Sequence, residues 1–312
     1  MFDGTRYVIE HSAAHEGGDD LNPNLDVGFM KRIERTCIDA SIALGVDADL
    51  RPIWGNTIAK LSKYPTGTYG GKTVYLMAEA IGGDTTIAST FRPGDQPINM
   101  EGGVFPGENV FLGGDPNELR IAIDSLDLMN SWGVTPGGNS NNGFVKEFII
   151  AARVGWPGAD LIDKLKAAIF YSDAAAYGWR ETNLTHAQGG GGIETSGNVE
   201  VIDSMLMQSE GGVIRVFPVW PKERDASFKR LRAKGAFVVS SEQRAGQVVS
   251  VTVVSEKGKP LSIKNPWGTG MSQVTEVDAA GTAIAPVSCM VSADTLSCPT
   301  SASKIYRITK TP

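Results

Sequence analysis

The stretch GAFVVSSEQRAGQVVSVTVVS, residues 235–255, contains two runs of apolar and β-branched residues separated by a short polar segment. Such runs on either side of a turn are typical of two strands of a β-hairpin. Similar runs occur as VIRVF at residues 213–217 and as SKIYRITK at residues 303–310. Residues 212–312 are therefore predicted to form a β domain, most simply a small antiparallel β-sandwich.

Before the pair Gly211-Gly212 the hydrophobic period changes, and residues 22 to about 210 are predicted to form helices joined by long Gly-rich loops. The first helix is predicted to have Asn22 as its N-cap and Pro23 at its first position. Gly45 is expected to end it. Its apolar residues recur at three- and four-residue multiples and are predicted to form the buried face: Met30, Ile33, Cys37 and Leu44.

Five further helices are predicted from the same periodicity, and the third of the six opens on Asp115-Pro116 with Glu118 close to a capping box. Helix pairs with long loops indicate stacked αα-hairpins. The apolar positions of these five helices are Trp54, Ile58 and Leu61; Leu119, Ile123, Leu126 and Met129; Phe144, Phe148 and Ala152; Leu161, Leu165 and Ile169; and Val199, Ile202 and Leu206.

Composition excludes several classes of partner. The chain of 312 residues has a net charge of −6 and no basic run, so we expect no nucleic-acid partner. No apolar run approaches the roughly 18 residues that a bilayer crossing needs, so we expect no membrane partner. Cys289 and Cys298 are able to pair, but three cysteines do not define a disulfide framework. The cysteines therefore do not assign the protein to a cellular compartment.

The stretch HSAAHEGGDDLNP, residues 11–23, concentrates ionisable groups just before the first helix. His11 and His15 are four apart with Glu16 adjacent, which would suit a zinc site on a helix, but Gly17-Gly18 argues against a helix. A second interpretation is a solvated loop that places negative charge near a helix start. A third makes Glu16 a catalytic acid on a loop.

A second candidate stretch, WRETNLTHAQGGGGIETSGN, covers residues 179–198. Its Gly run would let backbone and ligand come close to Glu194. The alternative is that Glu194 only complements the dipole of the helix that follows. Side chains suited to stacking on a sugar or binding its hydroxyls are Trp179, Arg180, His186 and Gln188. Two carboxylates on loops suit glycoside hydrolysis, in which one protonates the leaving oxygen and the other activates water or attacks the sugar.

Several segments make the chain similar to glycoside hydrolase family 95, the α-L-fucosidase-like enzymes. They are residues 11–54 (HSAAHEGG…RPIW), 142–155 (NGFVKEFIIAARVG), 193–221 (IETSGNVEVIDSMLMQSEGGVIRVFPVWP) and 230–255 (RLRAKG…TVVS). The resemblance implies the C-terminal part of an (α/α)6 toroid of the six-hairpin type, residues 1–211, followed by the β-sandwich domain, residues 212–312.

The resemblance also implies an inverting mechanism with two carboxylates. Glu16 would be the general acid, since Ala14-His15-Glu16-Gly17 stands where the family has Ser-Pro-Glu-Asn, and this role calls for burial of the carboxyl group. Glu194 would be the general base, where the family has Asp. The change to Glu lengthens the reach by one methylene and favours a substrate other than a fucoside.

Further contacts to an oligosaccharide or polysaccharide are expected from His15, Trp132 and Asn141. No metal or other cofactor is expected. Because the family's water-positioning Asn residues lie upstream of the acid, we expect the N-terminal half of the same enzyme as a partner. The parent enzyme is expected to be secreted or periplasmic. Alternatives are a polysaccharide lyase or glycoside phosphorylase on a related toroid, and a non-catalytic carbohydrate-binding remnant.

Overall fold

The computed structural model describes residues 1–130, 132, 144–170, 197–268, 270 and 272–311. The chain divides into two compact units. The first unit comprises Met1–Val154 and Leu161–Asn198, and the second comprises Gly155–Asp160 and Val199–Pro312. The protein is thus a mixed helical and antiparallel β structure, as the change of hydrophobic period predicts.

The first unit contains helices and one hairpin. Its described elements are α1 (Asn24–Leu44), α2 (Arg51–Lys60), β1 (Thr66–Tyr69), β2 (Lys72–Tyr75), α3 (Ile87–Thr90), α4 (Ile98–Glu101), α5 (Pro116–Leu128), α6 (Phe144–Val154) and, from Leu161 onward, α7 (Gly158–Phe170). α1 and α2 are consecutive helices that pack against each other. The toroid stays a prediction of the family resemblance.

Helix α1 confirms the helical period but corrects two details of the sequence prediction. Asn22 is not its cap: the helix begins at Asn24 after Pro23, and no side chain caps it. The predicted inward face is also wrong, because Ile33 and Leu44 are 56% and 74% exposed. The helix instead buries Asn24, Val27 and Gly28 of the opposite face.

Close backbone contact explains which face of α1 is buried. A Cβ built on Gly28 would lie 1.9 Å from the carbonyl oxygen of Gly102, and one on Gly107 would lie 1.7 Å from the same oxygen. The side-chain amide of Asn109 donates to the carbonyl oxygens of these three glycines at 3.0–3.2 Å. The absence of side chains at these positions lets the helix approach a loop more closely than an apolar face would allow.

The start of α5 confirms its predicted cap. Asp115 accepts hydrogen bonds from the backbone N–H groups of Asn117 and Glu118 at 2.8 and 3.1 Å. These contacts satisfy two of the donors that every helix start leaves free. The apolar face is predicted less well, since Leu126 is buried but Ile123 is 36% exposed.

The hairpin β1–β2 lies between the second and third predicted helices, where the sequence analysis expects only a Gly-rich loop. Its strands pair antiparallel across Gly70-Gly71, whose φ angles are 55° and 77°. Two central residues with positive φ are typical of a type I′ hairpin turn, and Gly-Gly is one of its sequence signals. The alternation in TGTYGGKTVY therefore contained the information.

The second unit contains α8 (Asn198–Leu206), a 3₁₀ turn (Glu210–Gly212) and eleven strands in its described part. The strands are β3 (Met207–Gln208), β4 (Arg215–Val216), β5 (Ala226–Ala233), β6 (Phe237–Arg244), β7 (Gln247–Ser255), β8 (Leu261–Lys264), β9 (Ser272–Val277), β10 (Ala283–Val287), β11 (Met290–Ser292), β12 (Thr295–Cys298) and β13 (Lys304–Lys310). One sheet has the order β10-β9-β13-β7-β6-β5, another has the order β11-β12-β8, and β3 pairs with β4.

The two larger sheets share one hydrophobic core. Val239, Val253 and Ile308 from the six-stranded sheet are fully buried in the same cluster as Leu261 and Ile263 from the three-stranded sheet. Two antiparallel sheets that enclose a common core form a sandwich. The alternating segments of the sequence correspond to β6, β7 and β13, with β6 and β7 forming the expected hairpin.

Two features of the second unit refine the sequence analysis. Leu206, at the end of α8, is buried in the core of the β-sandwich. From Val199 onward this helix belongs to the second unit, although it precedes the predicted domain boundary at 211/212. Cys289, directly before β11, forms a disulfide bond with Cys298, the last residue of β12.

No helix in the described ranges has the length and apolar character needed to cross a membrane.

Candidate functional site

The loop formed by residues 11–20 is closed at its base by its own backbone. Ser12 and Asp20 exchange hydrogen bonds between their N–H and carbonyl groups at 2.8 and 3.4 Å. Next to Ser12, Ala14 is buried with Met77, Ala78 and Ile98. The loop is thereby held against the segment that follows β2, while residues 15–19 remain exposed.

Asp20 holds this loop to the rest of the first unit. Its carboxylate is 4% exposed and accepts the N–H of Ala14 at 2.7 Å and that of Gly82 at 2.9 Å. A buried carboxylate that accepts two backbone N–H groups is a strong local restraint, because bonds to charged groups exceed neutral ones in strength. Asp20 thus orients the loop. The negative charge in the first turn of α1 comes instead from Asp26.

We expect Asp20→Ala to lower the free energy of unfolding by about 2 kcal/mol, because two buried N–H groups lose their acceptor. Asp19 is exposed in the same loop and has a positive φ of 71°, which Asn tolerates as Asp does, so Asp19→Asn should change this free energy by no more than about 0.5 kcal/mol. Urea unfolding of both variants measures the difference. Equal values for the two variants would contradict the assigned role of Asp20.

A hydrogen-bonded network that includes charged groups holds the segment directly before α1. The side chain of the fully buried Asn22 accepts the N–H of Ile9 and donates to Glu79, both at 2.8 Å. Arg6 donates to the other oxygen of Glu79 at 2.8 Å. The hydrogen bond from Arg6, with a further one from Asn22, holds the pKa of Glu79 below its usual value of 4.5 against the opposing effect of burial.

This lowered pKa predicts a pH dependence of stability. The folded state favours the ionised Glu79, so its contribution is complete above pH 4.5 and is lost as the pH falls through the folded-state pKa. Arg6 and Glu79 side chains are each 37% exposed, so solvent screening limits the contribution to about 0.5 kcal/mol. Urea unfolding of wild type and Glu79→Gln above pH 4.5 and at acidic pH tests this. The free energy of unfolding should decrease less on acidification in the variant than in wild type, and an equal decrease would refute the assignment.

The exposed part of the loop borders a cleft of about 220 Å³. His15 and Glu16 line it from the loop, and Arg92, which follows α3, lines it from a distant part of the sequence. The Arg92 guanidinium lies 3.9 Å from the carboxylate of Asp95, and its side chain is 43% exposed. The other lining residues are Ala14, Gly17, Gly18, Asp20, Met77, Ile81 and Gly82.

Of the predicted site residues, the structure brings His15 and Glu16 to one cleft. The expected burial of Glu16 is wrong, since its side chain is exposed. Glu194, the candidate base, lies outside the described residues. So do the predicted sugar contacts Asn141, Trp179, Arg180, His186 and Gln188.

Trp132 has the surroundings of a core side chain. It is 7% exposed, its Nε1 donates to the carbonyl oxygen of Met129 at 3.1 Å, and its ring meets that of Phe148 edge to face. The Lys164 ammonium lies 4.8 Å from the ring centroid. A sugar would need this ring to become exposed before it could stack there.

The zinc interpretation of residues 11–16 finds no support. His11 pairs with Asp19, with Nδ1 and Oδ1 2.6 Å apart, and does not line the cleft. Throughout the described part of the chain, no three His, Cys, Asp or Glu side chains come together as metal ligands.

Sequence reasoning missed two residues that shape the cleft. Arg92 has no local signal, because only tertiary contacts bring it beside a loop some 75 positions earlier. Asp20 was noticed only as one of two adjacent acids, and nothing in the sequence distinguishes the buried Asp20 from the exposed Asp19.

Fold and cleft together describe a helix-rich unit with a cleft lined by charged and apolar residues, and an antiparallel β-sandwich unit. No family model and no curated protein matches the chain. Among solved structures, the catalytic domain of the GH30 xylanase C from Talaromyces cellulolyticus matches with a TM-score of 0.22 and 14% identity over 34% of this chain and 27% of that one.

The GH51 arabinofuranosidase from Xanthomonas axonopodis pv. citri matches with a TM-score of 0.20 and 10% identity. This match covers 55% of this chain and 48% of that one. The chain therefore spans less than half the length of either glycoside hydrolase. Likeness at this level carries no argument about activity, which has to come from the residues themselves.

Proposed function

We propose that the chain acts, by itself or within a longer enzyme, as a glycoside hydrolase on an oligosaccharide or polysaccharide. Glu16 is the general acid that protonates the glycosidic oxygen, and Glu194 is the general base that deprotonates the attacking water. The mechanism is inverting, which requires the two carboxyl groups to be about 6.5–9.5 Å apart. The finer assignment, a relative of the α-L-fucosidase-like family 95, rests on the sequence resemblance.

The observation that carries this proposal is that Glu16 lines an accessible cleft, which His15 and Arg92 also line. A Cβ built at Gly17 or Gly18 meets no atom within 4 Å, so the backbone next to Glu16 is not covered by other parts of the described structure. The buried anchors Ala14 and Asp20 restrain both ends of the exposed segment. A restrained acid next to open space suits protonation of a leaving group on a bound sugar.

Exposure of Glu16 in the free protein is compatible with this role, because a bound saccharide would itself exclude water from the carboxyl group. His15 and Arg92 supply donors for sugar hydroxyls at the same cleft. Asn141, Trp179, Arg180, His186 and Gln188 stay proposed substrate contacts, because their side chains can stack on a sugar or bind its hydroxyls, whereas the burial of Trp132 argues against that role for its ring.

Hydrolysis of a panel of neutral and acidic oligosaccharides, including fucosides, tests the proposal. Proton NMR of the first product should show the anomer opposite to that of the substrate linkage. A retained anomer would refute the inverting assignment. An unsaturated product that absorbs in the ultraviolet would identify a lyase, and phosphate-dependent cleavage would identify a phosphorylase. Binding without turnover would leave the non-catalytic alternative.

A further inference from the structure

Three cationic side chains gather on the first unit, in a region that the hydrolase proposal does not use. Lys31 and Arg35 are four residues apart on α1, and Lys63 follows α2. Lys63 directly precedes Tyr64, whose ring the Lys31 ammonium contacts, and the charges of Arg35 and Lys63 both act on that ammonium. We refer to Lys31, Arg35 and Lys63 as the cationic cluster.

Tyr64 and Asn109 hold two of these cations in place. The Lys31 Nζ lies 4.1 Å from the centroid of the Tyr64 ring, within the range of a cation–π contact. Tyr64 is itself fixed by a hydrogen bond from its hydroxyl to the carbonyl oxygen of Gly102. The Arg35 guanidinium donates to Asn109 Oδ1 at 2.8 Å, a neutral acceptor.

The cluster lacks the carboxylate partners that neighbouring cations have. Arg32, one position from Lys31, pairs with Glu108 at 2.8 Å. Lys31, Arg35 and Lys63 form no ion pair with any carboxylate of the described residues. The carboxylate that acts on Lys31 at longer range is that of Glu118, which accepts the hydroxyl hydrogen of Tyr75.

Physical cost makes this arrangement informative. Burial lowers the pKa of Lys31, and the charges of Arg35 and Lys63 lower it further against the opposing effect of Glu118. Like charges four apart on a helix also destabilise it. A chain with a net charge of −6 has an excess of carboxylates with which to neutralise such a cluster. A bound anion would relieve the repulsion, and a guanidinium beside an ammonium suits an oxyanion.

We propose that Lys31, Arg35 and Lys63 form a binding site for a tetrahedral or planar oxyanion: a sulfate, phosphate or carboxylate group. The group is supplied either by a free inorganic anion or by an anionic saccharide. The proposal is independent of the hydrolase function, because it involves neither Glu16 nor the cleft.

Isothermal titration of the full chain with sodium sulfate, at constant ionic strength set with chloride, tests the proposal. We expect saturable binding that weakens at least tenfold in Lys31→Gln and Arg35→Gln. Lys229→Gln is the matched control, since Lys229 is an exposed lysine of the second unit without a described ion pair, and it should bind as wild type does. Should Lys31→Gln fail to fold by circular dichroism, the exposed Lys63→Gln carries the same expectation.

Galactose 6-sulfate and galactose identify the source of the anion. Tighter binding of the sulfated sugar than of free sulfate supports a saccharide ligand, whereas equal binding supports an inorganic anion. Absence of binding by sulfate, phosphate and the sulfated sugar would overturn the proposal. Equal binding by wild type and all variants would overturn it too.

Discussion

Gly28→Ala is expected to lower the free energy of unfolding by at least about 3 kcal/mol, although Gly→Ala inside a helix normally stabilises by up to about 1 kcal/mol. The reversal of sign comes from the 1.9 Å separation between the added Cβ and the Gly102 carbonyl oxygen. Both partners are backbone, so neither can move aside as a side-chain end would. Relief requires α1 to leave the loop and the Asn109 hydrogen bonds to break.

A matched control exists in the neighbouring helix. A Cβ at Gly55 of α2 meets no atom within 4 Å, so Gly55→Ala should raise the free energy of unfolding by about 0.5–1 kcal/mol. Urea unfolding followed by far-ultraviolet circular dichroism measures both variants. Stabilisation by both substitutions would show that α1 does not approach residues 102–107 as described.

Glu16→Gln is expected to reduce the rate of glycoside hydrolysis at least about 10²-fold, since the amide cannot supply the proton that a general acid gives to the leaving oxygen. The change is nearly isosteric, and Glu16 is exposed, so folding should be unaffected. Substrates with a good leaving group should lose less rate than natural linkages, because their departure needs less protonation. That contrast separates loss of an acid from loss of binding.

Asp19→Asn is the control for charge. Asp19 is exposed on the same loop, pairs with His11 and does not line the cleft. Removal of its negative charge should leave the rate within about twofold of wild type, since nothing in the mechanism uses it. A loss below tenfold in Glu16→Gln, or equal losses in the two variants, would remove Glu16 from the mechanism.

Much of the local structure could be predicted from residue patterns. The Asp115 cap could be predicted because its signal lies within four residues. The strands β6, β7 and β13 could be predicted because their alternation is local. The buried face of α1 could not be predicted in this way. Apolar periodicity identifies a helix, but which face is covered depends on what the rest of the chain brings against it.

The same difference between local signals and tertiary contacts applies to the candidate site. Glu16 was proposed from the family resemblance, yet its exposure and the cleft that it shares with Arg92 depend on how the segment after β2 lies against residues 11–20. Asp19 and Asp20 show the limit clearly. Adjacent and chemically identical in sequence, one carboxylate is exposed and the other accepts two buried N–H groups.

A helical part followed by an antiparallel β part can be predicted from residue patterns, because helix and strand periods, turn glycines and caps are set by residues close together in the chain. Three features appear only in the folded chain: the glycine contact that orients α1, the anchoring of the Glu16 loop by Asp20, and the approach of Lys31, Arg35 and Lys63 to one another. Each of these depends on atoms far apart in sequence, whose distances are fixed only when the backbone packs.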